Sequence, residues 1–240
     1  LCDWELSINR GLLTGLNDAF IISAEKRAEL IKEDPKSAEI IRPILRGRDI
    51  KRYGYHFAEL YLIVAHNGNK KQRIPRINID NYPAIKKHLE SFGKKVVDRA
   101  DQGDTPYNLR NCVYMDDFSK QKIVYREISD AMNACLVEPD IYLNNKCYLI
   151  TGEHLVYLLS IFNSVLFTKI IMREANVTGG KGVDFLSKIR IPAPSMDMEA
   201  KFIALYEQRQ AGIADDLAID ELVYQIFNIS NQERNAIEAM

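Results

Sequence analysis

Between Cys147 and Phe167 the chain is more apolar than anywhere else in its 240 residues, and this stretch most restricts the folds open to it. Glu153, His154 and Asn163 interrupt it, which a bilayer-spanning helix seldom accepts, so it reads as a core segment. Its first part, Cys147 to Thr151, reads as a strand. Its second part sets Leu155, Leu158, Leu159, Phe162, Leu166 and Ile170 at helical spacing, while Val156, Ile161 and Val165 fill the other faces. A helix apolar on most sides has to be covered on most sides, so it is expected to be the central pillar of the fold. A chain of this length can bury such a core without disulfides.

Around that pillar the pattern alternates. Ala19 to Ile22, Glu39 to Leu45, Leu60 to Ala65, Lys122 to Ile128 and Lys188 to Ile191 are short, β-branched or aromatic, and bounded by turn formers, which predicts further strands. Pro83 suits a first helical turn, and Ile85, Leu89, Phe92 and Val96 then form one apolar face, with Gly93 inside the expected helix. After Ile191-Pro-Ala-Pro194, Ser195 can cap a helix with Asp197 and Glu199 in its first turn; Ile219 to Phe227 mark another, and Ser230 with Glu233 has capping-box spacing for a last. The expected fold is mixed α/β (α+β): a twisted mixed sheet with packed helices over residues 1–190, then a helical tail over 191–240.

Cys2, Cys112, Cys135 and Cys147 are far apart with no CxxC pair, and His56, His66, His88 and His154 are equally scattered, which argues against a zinc site and for reduced thiols in a cytoplasmic protein. No signal peptide is evident, and the opening at Leu1 suggests a piece of a longer protein. Catalytic signatures are missing: there is no GxSxG, HExxH or Walker loop, no Asn/Asp-Pro-Pro-aromatic loop of an amine methyltransferase, and no acid cluster leading to Glu-x-Lys. No catalytic residue is therefore assigned.

The net charge of -1 hides a strong asymmetry. From Arg42 to Arg76 nine basic residues face two acids; from Ser195 to Met240 three basic residues face nine acids. Such a separation suits a chain with one face toward a polyanion. Three stretches carry the positive charge or a close backbone approach: Arg42 to Arg52, Asn67-Gly-Asn-Lys-Lys-Gln-Arg73, and the glycine-rich Thr178-Gly-Gly-Lys-Gly182. Lys and Arg suit phosphates, and Asn67, Asn69, Gln72 and Arg73 have the chemistry to read adenine and guanine edges. The DNA-binding candidates are Arg46, Arg48, Lys51, Arg52, Asn67, Asn69, Lys70, Lys71, Gln72, Arg73, Arg126, Gly180 and Lys181. A structural reading stands beside each. Arg46, Arg48 and Asp49 can form an internal turn, with Asp49 accepting backbone amides or pairing with Arg48, and Tyr53 and Tyr55 are either core residues or platforms for bases. A shared positive groove is the expected arrangement of these loops.

Several strings occur in an order that resembles a known family. They are Gly15-Leu-Asn-Asp-Ala-Phe20, Ile41 to Tyr53, Tyr82 to Leu89, Arg99 with Gly103, Lys122-Ile-Val-Tyr-Arg126, Leu159 to Leu166 around Phe162-Asn-Ser164, Ile191 to Pro194, and Ile219 to Tyr224. Together they resemble the TaqI-like C-terminal specificity domain of Type IIG restriction-modification enzymes and related adenine-N6 DNA methyltransferases. The resemblance implies sequence-specific recognition of double-stranded DNA. It also implies an upstream methyltransferase domain of the same polypeptide, with or without a nuclease, that holds S-adenosylmethionine and, as an optional addition, Mg; no cofactor is expected in this segment and no membrane partner. The alternative is a docking module of a multisubunit restriction system that reads no bases, with the apolar faces at 202, 205, 206, 222, 223, 226 and 227 turned to a partner.

Overall fold

The computed structural model describes residues 4–127, 132–169, 186 and 189–240. One sheet is fully antiparallel, in the order β1 (Leu6–Arg10), β10 (Cys147–Gly152), β7 (Lys122–Arg126) and β8 (Ala134–Val137). Its two-residue period sorts side chains into two cores. Leu149, Val124 and Cys135 stand in register and enter one core; Ile150, Ile123 and Leu136, one position along, enter the other.

A second sheet, in the order β2 (Ile21–Ser23), β6 (Leu60–Ile63), β3 (Ile41–Leu45) and β9 (Tyr142–Leu143), gives Ile22, Leu62, Ile44 and Leu143 to the first core. Only its β3–β9 pair is parallel. A small ribbon pairs β4 (Ile50–Lys51) with β5 (Gly54–Tyr55). Helices α1 (Asn17–Phe20), α2 (Ala24–Glu33), α3 (Pro83–Glu90) and α4 (Lys94–Val97) lie in the first half of the chain.

The expected pillar is α5 (Leu155–Asn163), in which every residue from Tyr157 to Asn163 is buried. Asn163, the polar interruption of the apolar run, clamps β8 to the helix. Its Oδ1 accepts from the Ala134 amide and its Nδ2 donates to the Ala134 carbonyl, both at 2.9 Å. Beyond α5 lie α6 (Met196–Gln210), α7 (Asp216–Ile226) and α8 (Asn231–Glu238). Ser195 caps α6 by accepting from the Met198 amide, and Ser230 with Glu233 closes the predicted capping box on α8. Phe202, Leu205, Tyr206, Leu222, Val223, Ile226 and Phe227 all pack into the second core, where Phe202 meets the Tyr157 ring edge-on at 5.0 Å.

The mixed α/β class holds, with two sheets and a ribbon in place of one sheet. Local expectations shift in several places. Ala19 and Phe20 belong to α1, and the strand starts at Ile21. The helix from Pro83 does not run through Gly93, which sits at φ +56, a left-handed conformation that stops α3 and redirects the chain before α4. Ile189 to Ile191 form no strand, while Ile128 and Lys188 lie outside the described residues. Strands β1, β4, β5, β8 and β9 are additional to those the sequence pattern predicts.

Candidate nucleic-acid interface

At the end of β3 the chain turns through Arg46-Gly-Arg-Asp49, and buried Asp49 fixes the turn. Its Oδ2 accepts from the Arg46 amide at 2.8 Å and from Arg46 Nε at 2.9 Å, while Oδ1 accepts from Arg46 Nη2 at 2.9 Å. Asp49 thus pairs with Arg46, not Arg48. Burial pushes its carboxyl pKa up, yet the hydrogen bonds from the Arg46 side chain and backbone outweigh that and hold it below the usual range.

Gly47 lies against the turn at 144–146: a Cβ there would stand 3.1 Å from the Lys146 carbonyl oxygen. That second turn is tied in place, with the Asn144 amide donating to Leu45 O at 3.0 Å and Asn144 Oδ1 accepting from the Lys146 amide at 3.2 Å. The Glu127 amide donates to Lys146 O at 3.0 Å and draws in the end of β7. The three segments enclose an open cleft of about 380 Å³, walled by Arg46, Arg48, Arg126, Glu127, Asn144 and Lys146 over Gly47.

Glu127 is shared between two cations: Oε1 meets Arg10 Nη2 at 2.5 Å and Oε2 meets Lys146 Nζ at 3.4 Å. Exposed Arg48 and half-buried Arg126 have no hydrogen-bond or ion-pair partner among the described residues. The cleft therefore presents two unpaired guanidiniums on a floor fixed by backbone hydrogen bonds.

The remaining candidates fall elsewhere. Lys51 is exposed on β4. Arg52 turns to the tail, with Nη1 2.8 Å from Asp216 and Nη2 3.8 Å from Asp220, so the acidic α7 meets its charge inside the molecule. Tyr53 is buried and its carbonyl accepts from Gln210 Nε2 at 3.0 Å; the Tyr55 hydroxyl donates to Glu138 at 2.7 Å. Both tyrosines are held within the fold.

The loop after β6 closes as a small hairpin in which Asn69 and Ile74 bridge. Asn69 Oδ1 accepts from the Lys71 amide at 3.1 Å, its Nδ2 donates to Gln72 at 2.7 Å, and Gln72 Nε2 donates to Asp116 at 2.7 Å. Asn67 bonds to Asp104 and Asn111. Lys70, Lys71 and Arg73 are left exposed at the tip, Arg73 at φ +57. Because β3 and β6 are antiparallel, this tip and the Arg46–Asp49 turn leave opposite ends of the second sheet. The structure groups Arg46, Arg48 and Arg126 in one cleft and sets the 67–73 loop apart from it. Gly180 and Lys181 lie outside the described residues.

Lys146, which lines the cleft, and Arg10, which holds its Glu127, were missed by sequence reasoning; the polar Asn144-Asn-Lys146 turn between two apolar segments was the available signal. Among the described residues no three His, Cys, Asp or Glu side chains gather as a metal site, and no helix is long and apolar enough to cross a membrane.

Comparison with sequence families matches residues 42–186, more than half of the chain, to the TaqI-like C-terminal specificity domain. No curated protein matches. Among solved structures, the chain is similar to the Type IIL restriction-modification enzyme MmeI, determined in complex with DNA, with a TM-score of 0.68 at 11% identity over 100% of this chain and 36% of that one. It also matches the type IIG restriction endonuclease BpuSI, with a TM-score of 0.48 at 12% identity over 94% of this chain and 31% of that one. The chain thus spans about a third of the length of the solved structures it matches.

Proposed function

This chain belongs to the TaqI-like C-terminal specificity domain family, and we propose that it recognises double-stranded DNA as the specificity domain of a restriction-modification adenine-N6 DNA methyltransferase. In this reading the chemistry, with S-adenosylmethionine and any nuclease, resides in an upstream domain of the same polypeptide. The observation that carries the DNA reading is the cleft in which Arg48 and Arg126 stand without an ion-pair partner among the described residues, beside Lys146. Guanidiniums gathered without a paired acid are stabilised by an anion, and their planar forks fit phosphate oxygens.

The tip at Lys70, Lys71 and Arg73 is compatible with the same ligand. The apolar faces of α6 and α7 named for the docking-module alternative pack against the core around α5, which favours the DNA reading.

The test is the affinity of the chain for a labelled DNA duplex across a range of salt. Each neutralised phosphate is expected to add about -0.9 to the log-log slope, so several contacts give a steep loss of affinity with salt. A flat response rules out phosphate-driven binding.

A further inference from the structure

We infer that the cleft between the Arg46–Asp49 turn, the end of β7 and the 144–146 turn is a phosphodiester subsite that grips the DNA backbone and reads no base. It rests on the duplex reading above and assigns it one place, one ligand group and one role. Arg48 and Arg126 are its anion-binding groups, and Glu127 holds the neighbouring cations until a phosphate competes for them.

The charges around the cleft decide this. Four cations line it (Arg46, Arg48, Arg126 and Lys146), with Arg10 behind Glu127, and among the described residues Asp49 and Glu127 are the acids paired with them. Asp49 is fully engaged by Arg46, whose two guanidinium nitrogens it binds at 2.9 Å. Glu127 is divided between Arg10 at 2.5 Å and Lys146 at 3.4 Å. The Lys146 contact is long for an ammonium–carboxylate hydrogen bond, so a phosphate oxygen displaces it at little cost. Arg48 and Arg126 remain, and their mutual repulsion falls when an anion enters.

The shape selects the anion. A cleft of about 380 Å³ has room for a phosphate with its sugar, and it opens to solvent along a strand end where a polymer can pass. Among the described residues no aromatic ring lines it, so it lacks the aromatic platform on which unpaired bases stack. The walls are set by bonds made without ligand, from Asn144 N to Leu45 O at 3.0 Å and from Glu127 N to Lys146 O at 3.0 Å, which makes the subsite rigid before DNA arrives. Groups of this kind fix register on the duplex and leave discrimination to other loops.

The experiment compares the full chain with Arg48→Ala/Arg126→Ala on two labelled duplexes of unrelated sequence, by anisotropy over a range of salt. The double variant is expected to lose about tenfold or more in affinity for both duplexes by the same factor, and its slope to flatten by about 0.9 for each contact removed. Arg48→Lys/Arg126→Lys keeps the charge and is expected to recover most of the slope, while Glu127→Gln, which releases Lys146 and Arg10, is expected to tighten binding. Thermal melting of the double Ala variant is expected to match the parent chain, and if it does not, the Lys pair decides. Unchanged affinity and slope in the double variant, with the parent chain still binding DNA, overturns the subsite and leaves the duplex reading standing. A loss on one duplex only overturns the backbone role. Failure of the parent chain to bind any duplex overturns the duplex reading and the subsite together.

Discussion

Single side chains separate binding from architecture within one basic stretch. Arg46 and Arg48 lie two residues apart, yet Arg46 braces its own turn through Asp49 while Arg48 faces solvent. Asp49→Ala removes the acceptor of three hydrogen bonds and strands Arg46, and is expected to destabilise the chain by about 2 to 3 kcal/mol in urea denaturation. The sign with pH follows from the lowered carboxyl pKa. The stability Asp49 gives is complete above its unfolded value of about 3.9 and is lost as pH falls through the lower folded value, so Asp49→Asn should flatten the acid limb of the stability curve. Lys122 is the opposite case. Its Nζ is buried and donates to the carbonyls of Phe118, Lys120 and Glu138 at 2.8 to 2.9 Å, and burial pushes its pKa down to about 8. Between about 8 and the unfolded value of about 10.4 the unfolded chain holds more protons, so stability should rise with pH there, and Lys122→Met should abolish that rise. At the 67–73 tip, where Asn67, Asn69 and Gln72 are held by internal bonds, Arg73 is the exposed guanidinium, beside Lys70 and Lys71, with a fork that fits the guanine edge. Arg73→Ala is expected to relax preference at one base position by about 1 to 3 kcal/mol, measured by competition among single-base variants of a bound duplex.

Among the elements, those coded by local chemistry were legible in the sequence and those coded by distant partners were not. Ser195, Ser230 with Glu233, and Pro83 act within one helical turn, and each starts a helix where the sequence placed it. Strands β8 and β9 exist because β7 and β3 offer them hydrogen bonds, and nothing within Ala134–Val137 or Tyr142–Leu143 announces that. The candidate site divides in the same way. Arg46, Arg48 and Arg126 stood out by residue type, whereas Lys146, Arg10 and Glu127 join them only through the β1–β10–β7 register, in which Arg10 faces Tyr148 and Arg126 faces Cys147. Asn163 shows how one side chain can hold an element. Asn163→Ala leaves the Ala134 amide and carbonyl without these partners in a buried setting and is expected to cost about 2 to 3 kcal/mol, with β8 the first segment to lose protection in amide exchange.

In the whole molecule, the charge asymmetry of the sequence is partly closed within the fold. Arg52 is taken up by Asp216 and Asp220, and Arg209 also binds Asp216 at 2.7 Å while lying 4.3 Å over the Tyr53 ring. The tail is therefore part of the structure that carries the basic turn. Among the described residues the Arg48–Arg126 cleft and the Lys70–Arg73 tip are two places where basic side chains stay without an ion-pair partner, at opposite ends of the second sheet. The central claim, that these regions serve to recognise a duplex, is tested most directly by selecting the full chain's ligands from a pool of randomised DNA duplexes and sequencing what it retains. Enrichment of one defined sequence is the expected result. Retention of the pool without sequence preference, or no retention at low salt, contradicts it.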